Sequence, residues 1–383
     1  MPGVTRLLVF LSIFAAVSLK LKAQYLLPIK KHDPTNQFYT TLNVGSAAKS
    51  PVNLVLDLET TLSWLNCRKI KSLSTFRRVG CNTPVCKSLS NGQCKENTCY
   101  NQQPNPLSRI PLIARVGQDR VSFSKTTVRN FTFLCAGQKD LQGLSPPAAG
   151  VLGLSPGSLS FPKQVTSAFN VIPKFALCLP SSTRPSMFIP PGPVPTPTGH
   201  FYIGSGPYSI PPFSSRLSIP MTFTPFRISE SGKYLISVDA IYVDGIRLSL
   251  DRELLVTGAK LSTLIMGLIK YASSGPFKHC FELGGSQREE PGLHLPAIEF
   301  GLPGRVGEVK WKFHAENTVV FVMETVVCLA FVDGGKKPND LMVIGTHQLQ
   351  DYMVELDFSR TVLAFSDSLL LHNTSCSSWP SRK

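Results

Sequence analysis

The 383-residue sequence has few charged residues, and the acidic ones are scarcer than the basic ones. Only 16% of positions are Asp, Glu, Lys or Arg, against about 25% in average soluble domains, while 43% are apolar. This composition excludes a disordered chain and a coiled coil, and the length is sufficient for two lobes with a large core. The 31 prolines and 28 glycines disfavour long helices, so many short strands are expected.

The sequence also has no apolar run long enough to cross a membrane. The run from Leu7 to Leu19 is shorter than the ~20 residues that a spanning helix requires, so no membrane anchor is predicted. With Arg6 before the run and the small Ala23 after it, residues 1–23 have the pattern of a cleaved secretory signal peptide. We therefore expect a protein secreted into the extracellular space.

Ten cysteines follow the predicted signal peptide, and in an oxidising compartment this even number predicts five disulfides. They are Cys67, Cys81, Cys86, Cys94, Cys99, Cys135, Cys178, Cys280, Cys328 and Cys376. The four cysteines from 81 to 99 also have the spacing of zinc ligands, but no His lies among them, so neither a metal nor a cofactor is expected. Sequons at Asn130 and Asn373 permit glycosylation.

The formal net charge of +15 favours anionic partners. For a secreted protein these are acidic cell-wall polysaccharides or acidic proteins. The basic residues are dispersed and are not interleaved with aromatic residues, so nucleic acid is not expected as a partner. A generally basic surface without a specific partner is the alternative interpretation.

A segment rich in proline divides the sequence into two mainly β halves. We predict an N-terminal lobe over residues 24–180, a linker over 181–199 and a C-terminal lobe over 200–383. The alternating patterns predict strands over 38–44, 52–58, 110–116, 120–128, 234–243 and 246–250, the last two joined by a turn at Asp244-Gly245. Only 164–169 and the segment after Thr346 have the pattern of short helices.

A weak internal duplication relates the two halves. In the first half, the apolar strand that ends at Asp57 is followed about 90 residues later by Gly150-Val-Leu-Gly153. In the second half, Ala259-Lys-Leu-Ser262 is followed about 80 residues later by Met342-Val-Ile-Gly345. In each unit the glycine strand can pass close beneath the polar loop because Gly lacks a Cβ atom.

These motifs resemble the pepsin-type aspartic proteinases over residues 24–376. Within them they resemble the plant subgroup of extracellular dermal glycoproteins, basic globulins, and xylanase and xyloglucan-endoglucanase inhibitors. The stretches that carry the resemblance are 56–67, 149–154, 174–179, 326–335 and 343–351. The resemblance implies an all-β, bilobal barrel with a central cleft. It also implies that Cys178 pairs with Cys376 and Cys280 with Cys328.

Active members of that family use two aspartates, one from each lobe, that share a proton. Asp57 matches the first position, whereas Ser262 occupies the second. A serine hydroxyl neither ionises near neutral pH nor raises the pKa of a partner by charge repulsion, so the shared-proton device is absent. In addition, Glu59 replaces the glycine of the Asp-Thr-Gly loop, and residues 108–116 lack the Tyr-Gly hairpin that covers substrate in active relatives. We therefore expect a pseudo-protease, with residual aspartic-type endopeptidase activity as the alternative.

Other catalytic interpretations have little support. Asp57 and Glu59 are two residues apart, so they could face the same way on a strand as a glycosidase pair, but nothing else in the sequence supports that chemistry. No Gly-x-Ser-x-Gly motif follows a strand, which disfavours a serine hydrolase. Between Ser262 and Cys280 the C-terminal lobe is shorter than in relatives by about 25 to 30 residues, judged from the resemblance.

The resemblance makes binding the expected function. We expect inhibition of microbial or endogenous glycoside hydrolases, such as a xylanase or a xyloglucan-specific endoglucanase, in plant defence. His372, four residues before the last cysteine, matches a histidine with which wheat-type inhibitors enter the xylanase active site, although the adjacent sequon at Asn373 opposes that role. A storage or peptide-binding globulin without an enzyme target remains the alternative.

Overall fold

A computed structural model of the chain describes residues 24–45, 50–69, 75–108, 110–181, 197–213, 218–250, 259–261, 280–282, 297–322, 326–331 and 342–377. The predicted signal peptide, the shortened segment after Ser262 with Ser262 itself, and most of the predicted linker lie outside these residues. None of the helices in the described part of the chain is long and apolar enough to cross a membrane.

Strands dominate the first half of the chain, as its alternating apolar pattern predicts. The strands are β1 Gln24–His32, β2 Gln37–Val44, β3 Pro51–Asp57, β4 Trp64–Asn66, β5 Arg77–Arg78, β6 Gly92–Lys95, β7 Thr98–Gln103, β8 Leu112–Phe123, β9 Thr126–Ala136, β10 Gly150–Gly153 and β11 Lys174–Cys178. Helices α1 Pro84–Lys87 and α2 Phe161–Phe169 and the 3-10 turns Asp33–Thr35, Cys67–Lys69 and Gln138–Leu141 connect them.

The second half repeats this preference for strands. Its strands are β12 Thr198–Gly204, β13 Thr222–Ile228, β14 Tyr234–Ile236, β15 Ala240–Val243, β16 Ile246–Arg247, β17 Ala259–Leu261, β18 Cys280–Glu282, β19 Ile298–Pro303, β20 Glu308–Phe313, β21 Val319–Phe321, β22 Val326–Leu329, β23 Met342–Ile344, β24 Met353–Asp357 and β25 Val362–Phe365. The helical elements are α3 Ala315–Thr318 and the 3-10 turn Leu369–His372. The fold is therefore all-β and bilobal, as predicted.

A central antiparallel sheet joins the two halves. Its strands follow the order β1, β12, β11, β24, β25 and β13, so that β11 of the first half lies between β12 and β24 of the second. In β11 the apolar side chains of Phe175 and Leu177 are buried in the main hydrophobic core. Because every inner strand of this sheet is paired on both sides, the backbone polar groups of the core are satisfied.

Aromatic side chains fill the core of the first half against this sheet. Phe161 at the start of α2 makes edge contacts with Phe123 and Phe131, with ring centroids 5.6 and 5.7 Å apart. A further contact to Phe201 reaches the central sheet. Helix α2 begins three residues before the predicted 164–169, and Pro162 suits its first turn because that position needs no backbone donor.

The core of the second half contains the aromatic pair that the sequence places at 311 and 313. Trp311 and Phe313 on β20 are 1% and 0% exposed, and Trp311 stacks on Phe365 with ring centroids 4.5 Å apart. Both side chains therefore belong to the core. Strand β20 pairs with β19, β19 also pairs with β15, and β15 forms a hairpin with β16.

Three local predictions need correction. The predicted strand 234–243 forms two strands, β14 and β15, which pair with different neighbours. Strand β8 continues to Phe123 where two separate strands were predicted, because an irregularity between Asp119 and Val121 bends the strand without ending it. After Thr346 the chain forms turns and no helix, since Gln350 already pairs with Leu179 in an isolated bridge. The predicted turn at Asp244-Gly245 is present, and both residues have positive φ, as a two-residue hairpin turn requires.

All ten cysteines form disulfides, as predicted. The pairs are Cys67–Cys135, Cys81–Cys94, Cys86–Cys99, Cys178–Cys376 and Cys280–Cys328. The last two are the pairs that the family resemblance implies. The crossed pairs between 81 and 99 use all four sulfurs that have zinc-like spacing, so none of them is free to bind a metal as a thiolate.

One hydrogen bond between the halves gives a direct test of the packing. Tyr234 is fully buried, and its hydroxyl donates to the carbonyl oxygen of Leu154 at 2.7 Å. Tyr234→Phe should lower the free energy of unfolding by about 1–2 kcal/mol, because the substitution leaves a buried carbonyl with one partner fewer. Urea denaturation measures this loss.

Tyr242→Phe is the matched control, since the hydroxyl of this half-buried tyrosine donates to Glu308 in an exposed hydrogen bond. Its effect should stay within about 0.5 kcal/mol. Equal losses in the two variants would contradict a specific contribution from the buried bond.

Candidate functional site

The cleft site is built on the duplicated unit that the sequence predicts. In the first half β10 runs parallel to β3 and places Gly153 opposite Asp57. A Cβ atom on Gly153 would lie 2.4 Å from the carbonyl oxygen of Thr60, and one on Gly150 would lie 2.1 Å from that of Trp64. Only glycine therefore allows β10 to pass this close to the loop after β3 and to β4.

The second half repeats the arrangement in its backbone. Strand β23 runs parallel to β17 and pairs Ile344 with Leu261, one residue before Ser262. The predicted duplication is therefore present in the topology. Ser262 itself lies outside the described residues, so its role as replacement for the second aspartate stays a prediction.

Asp57 is the predicted catalytic remnant, and its carboxylate is completely buried. Its Oδ1 accepts a hydrogen bond from the backbone N–H of Glu59 at 3.0 Å, and its Oδ2 accepts one from the hydroxyl of Thr60 at 2.5 Å. On the adjacent strand, the N–H of Gly153 donates to the hydroxyl of Ser63 at 3.0 Å. The carboxylate is thus held in a tight turn of its own loop.

Burial controls the ionisation of this carboxylate. Removal from water raises the pKa of Asp57 to about 6, because desolvation outweighs the hydrogen bonds from Thr60 and Glu59 that favour the charged form. The carboxylate of Glu59 adds a smaller upward shift of the same pKa. Asp57 therefore titrates in the weakly acidic range, and no second aspartate among the described residues contributes to the shift of its pKa.

Glu59 does not form a catalytic pair on a strand with Asp57. Strand β3 ends at Asp57, and Glu59 lies in the following loop, with Oε2 4.0 Å from Nζ of Lys233 in the second half. The strand geometry on which a glycosidase pair was considered is therefore absent. Glu59 and Lys233 instead form an ion pair across the cleft.

The cleft is an open, polar cavity of about 520 Å³. Hydroxyl and amide side chains line it together with Asp57 and Glu59, and the hairpin turn 230–233 between β13 and β14 closes one side. A cavity of this size lies within the range of ligand-binding pockets. Its lining contains no aromatic side chain among the described residues.

A β-hairpin lies beside this cavity, although the sequence predicts that the hairpin over the cleft is absent. Strands β7 and β8 form the hairpin, and Gln103 pairs with Leu112 next to the connection. Gln103, Pro104 and Pro106 line the cleft. The expectation of a missing hairpin is therefore wrong, although its connection contains prolines and no Tyr-Gly pair. Prolines restrict the backbone of the connection, which favours one fixed conformation.

The second candidate site is the loop that precedes the last cysteine. His372 ends the 3-10 turn Leu369–His372 and is exposed, with its ring edge against Phe213 at a centroid distance of 5.3 Å. Leu371 beside it is 59% exposed. The structure thus places a histidine and an apolar side chain together at the surface.

Both sequons lie on exposed residues. Asn130 in β9 and Asn373 after His372 have positive φ values of 55° and 50°, a conformation that asparagine tolerates better than most residues. Glycosylation of either residue stays a prediction. In the described part of the chain, no group of three or more His, Cys, Asp or Glu side chains could hold a metal ion.

Sequence reasoning missed the residues that the second half contributes to the cleft. Lys233 and Tyr234 reach the first half through an ion pair and a hydrogen bond. The only local signal is the Ser231-Gly232 turn before them, where Gly232 has a φ of 76°. A turn signal locates the hairpin but gives no information on which distant loop the hairpin contacts.

The bilobal all-β fold, with one buried carboxylate at the end of a glycine-crossed strand, defines a protein of the pepsin-like aspartic protease class. The chain matches the family models described as xylanase inhibitor N-terminal over residues 38–189 and xylanase inhibitor C-terminal over residues 259–367. It therefore belongs to the xylanase-inhibitor family of aspartic protease-like proteins.

Individual relatives agree with this assignment. The chain is 26% identical to a protein named probable aspartic proteinase GIP2 from Nicotiana benthamiana, over 92% of this chain and 91% of the relative. It is 28% identical to gamma conglutin 1 from Prunus dulcis, over 85% and 82%. Among solved structures, edgp superposes with a TM-score of 0.78 at 28% identity, covering 93% of this chain and 97% of that one.

Proposed function

We propose that the protein is a secreted, catalytically inactive aspartic proteinase homologue that inhibits microbial glycoside hydrolases of the kind that degrade plant cell walls, in plant defence. The observation that supports this most directly is the rigidly anchored loop that exposes Leu371 and His372. Membership in a family described as xylanase inhibitors supports the same class of target.

The anchoring of this loop lowers the entropy cost of binding. Leu369 and Cys376, on either side of the exposed pair, are both fully buried. Asp351 holds both ends, because its carbonyl oxygen accepts from the N–H of Leu369 at 2.8 Å and its Oδ1 accepts from the N–H of Cys376 at 2.9 Å. Preorganised side chains lose little freedom on binding, so more of the contact energy contributes to affinity.

The chemistry of the proposed target fits the exposed histidine. A retaining glycosidase carries two carboxyl groups about 5 Å apart on opposite sides of the scissile bond. An imidazolium can donate one N–H to each of two carboxylates. The positive net charge of +15 also favours association with an acidic enzyme surface.

The absence of proteolysis is part of the proposal. Acid-base catalysis of this type needs a second carboxylate, and Ser262 stands at the matching position. Relatives named as conglutins and globulins support a non-enzymatic use of the same fold. We expect no cleavage of an unfolded protein substrate at acid pH. Cleavage that a transition-state peptide blocks would instead indicate a residual aspartic-type endopeptidase.

The decisive experiment titrates the folded, oxidised protein against a fungal xylanase and a xyloglucan-specific endoglucanase while sugar release is followed. We expect stoichiometric loss of activity for at least one enzyme. His372→Ala should weaken that inhibition at least tenfold, about 1.4 kcal/mol, because the donor between the two carboxylates is removed.

His32→Ala is the matched control, because this half-buried histidine lies on β1 and forms a local hydrogen bond with Thr35. It should leave inhibition unchanged. Asn373→Gln tests whether a glycan beside His372 limits access, and the proposal expects equal or stronger inhibition from it.

If a folded sample inhibits neither enzyme, the inhibitor proposal fails and a storage or peptide-binding globulin becomes the better account. The names of the conglutin and globulin relatives favour that second function. High abundance in seed tissue without binding to a glycoside hydrolase would then be expected.

A further inference from the structure

A second cavity, separate from the cleft, is lined by three basic side chains. Its volume is about 460 Å³, and Arg68, Arg115 and Lys139 line it above the disulfide Cys67–Cys135. It shares no lining residue with the cleft. Its lining contains no acidic residue among the described part of the chain.

None of the described acidic residues neutralises these three cations. Across the described ranges, no Asp or Glu forms an ion pair with Arg68, Arg115 or Lys139. The acid nearest in sequence, Asp140, uses its Oδ2 to accept the backbone N–H of Gly137 at 2.7 Å. Like charges that converge on a concave surface concentrate positive potential and attract anions.

Buried contacts fix the walls of this cavity. Asn66, 1% exposed, accepts the N–H of Arg68 with its Oδ1 and donates from its Nδ2 to Gln138, both at 3.0 Å. This one side chain therefore ties together the two 3-10 turns that present Arg68 and Lys139. Arg115 on β8 lies directly opposite Cys135 on β9, so its side chain shares a face with the disulfide.

We infer that this cavity binds a carboxylate-bearing oligosaccharide. Arginine guanidinium groups match the planar carboxylate and form paired hydrogen bonds with it. The volume exceeds what a single small anion fills and lies within the range of ligand pockets. Three separate cations suit a chain with a carboxylate on each sugar unit better than they suit one ion.

The site is distinct from the loop that contains His372, so this inference does not depend on inhibition of a glycoside hydrolase. It gives the protein a means of attachment to acidic polysaccharide while the C-terminal loop remains exposed. The basic net charge thereby acquires a specific location in the fold.

The test measures binding of a size-fractionated oligogalacturonate by titration calorimetry at low ionic strength. Wild-type protein should bind it, and affinity should fall as NaCl is added, because salt screens charge contacts at the surface. The triple variant Arg68→Gln, Arg115→Gln, Lys139→Gln should bind at least tenfold more weakly. The pair Arg68→Gln, Lys139→Gln tests the same site without altering the half-buried Arg115.

A control with the same loss of charge replaces Lys125, Arg129 and Arg305, which are exposed and do not line the cavity, by Gln. It should change affinity less than twofold. Fully methyl-esterified oligogalacturonate should not bind, and inorganic sulfate at equal charge should compete poorly.

Several outcomes would overturn the inference: no binding by the folded wild-type protein, equal weakening in the control, equal binding of the esterified chain, or competition by sulfate as strong as by the oligosaccharide. The last result would reduce the site to one for a small inorganic anion. Circular dichroism and urea midpoints of each variant separate loss of binding from loss of folding.

Discussion

Replacement of Cys178 and Cys376 together by serine should lower the free energy of unfolding by roughly 5 kcal/mol, the largest effect expected from any single crosslink. The two cysteines are 198 residues apart in sequence. A crosslink lowers the entropy of the unfolded chain by an amount that grows with the logarithm of the number of residues in the loop it closes. This loop still exceeds 100 residues when the internal disulfide Cys280–Cys328 shortens it.

Urea denaturation without reductant, analysed for midpoint and slope, measures this change. The matched control replaces Cys81 and Cys94, which close a loop of only 13 residues, and should lose about 3 kcal/mol. A larger loss from the short crosslink than from the long one would contradict the entropic argument. Since Cys376 also anchors the loop with His372, the long-crosslink variant should lose inhibition as well.

Asp57→Asn should make the protein more stable than wild type at pH 7, by about 3 kcal/mol. The pKa of Asp57 is raised from 3.8 to about 6, and each unit corresponds to about 1.4 kcal/mol. Because the folded-state pKa lies above the unfolded one, the favourable contribution of the neutral acid is complete below pH 3.8. It is lost as the pH rises through 6, where the buried carboxylate must ionise.

The quantity to measure is the difference in unfolding free energy between the variant and wild type from pH 3.5 to 7.5. Burial lowers the pKa of His347 to about 4, so its neutral form stabilises the fold as the pH rises. This opposite contribution is present in both proteins and cancels in the difference. The difference should be small near pH 3.5, increase between pH 4 and 6 and stay constant above that range.

Asp357→Asn provides a control of opposite sign. Burial raises the pKa of Asp357, but hydrogen bonds from Ser359 and Arg360 outweigh burial and hold that pKa below its ordinary value. Loss of this charge should destabilise the protein at neutral pH. If Asp57→Asn also destabilises at pH 7, the carboxylate is held in its charged form and the argument from burial is wrong.

The fold and the first half of the cleft were accessible from the sequence because their determinants are local. The glycines at 150 and 153 and the aspartate at 57 have a fixed spacing within two short motifs, and the structure brings them into direct register. The apolar alternation located a minority of the strands, β2 and β3 among them, and ten cysteines predicted five disulfides.

The remaining features depend on contacts between segments far apart in sequence. Nothing in the residues around Lys233 indicates that it meets Glu59, since the two are brought together by the packing of the lobes. The basic cavity likewise depends on Asn66, an unremarked polar residue whose hydrogen bonds orient two distant turns. The hairpin at 98–123 has no Tyr-Gly motif, so only its strand pattern could have predicted it.

The shared central sheet has a consequence for the order of events during biosynthesis. Strand β11 presents an edge that only β24 covers, and Lys174 on the first strand contacts Glu355 on the second across 181 residues of sequence. At synthesis rates of 5–20 residues per second, that edge waits roughly 10 to 35 seconds for its partner. A nascent chain with an open, apolar strand edge is prone to intermolecular pairing. The last part of the chain to be translated therefore completes the core of the first, and the strand edge stays unpaired until it arrives.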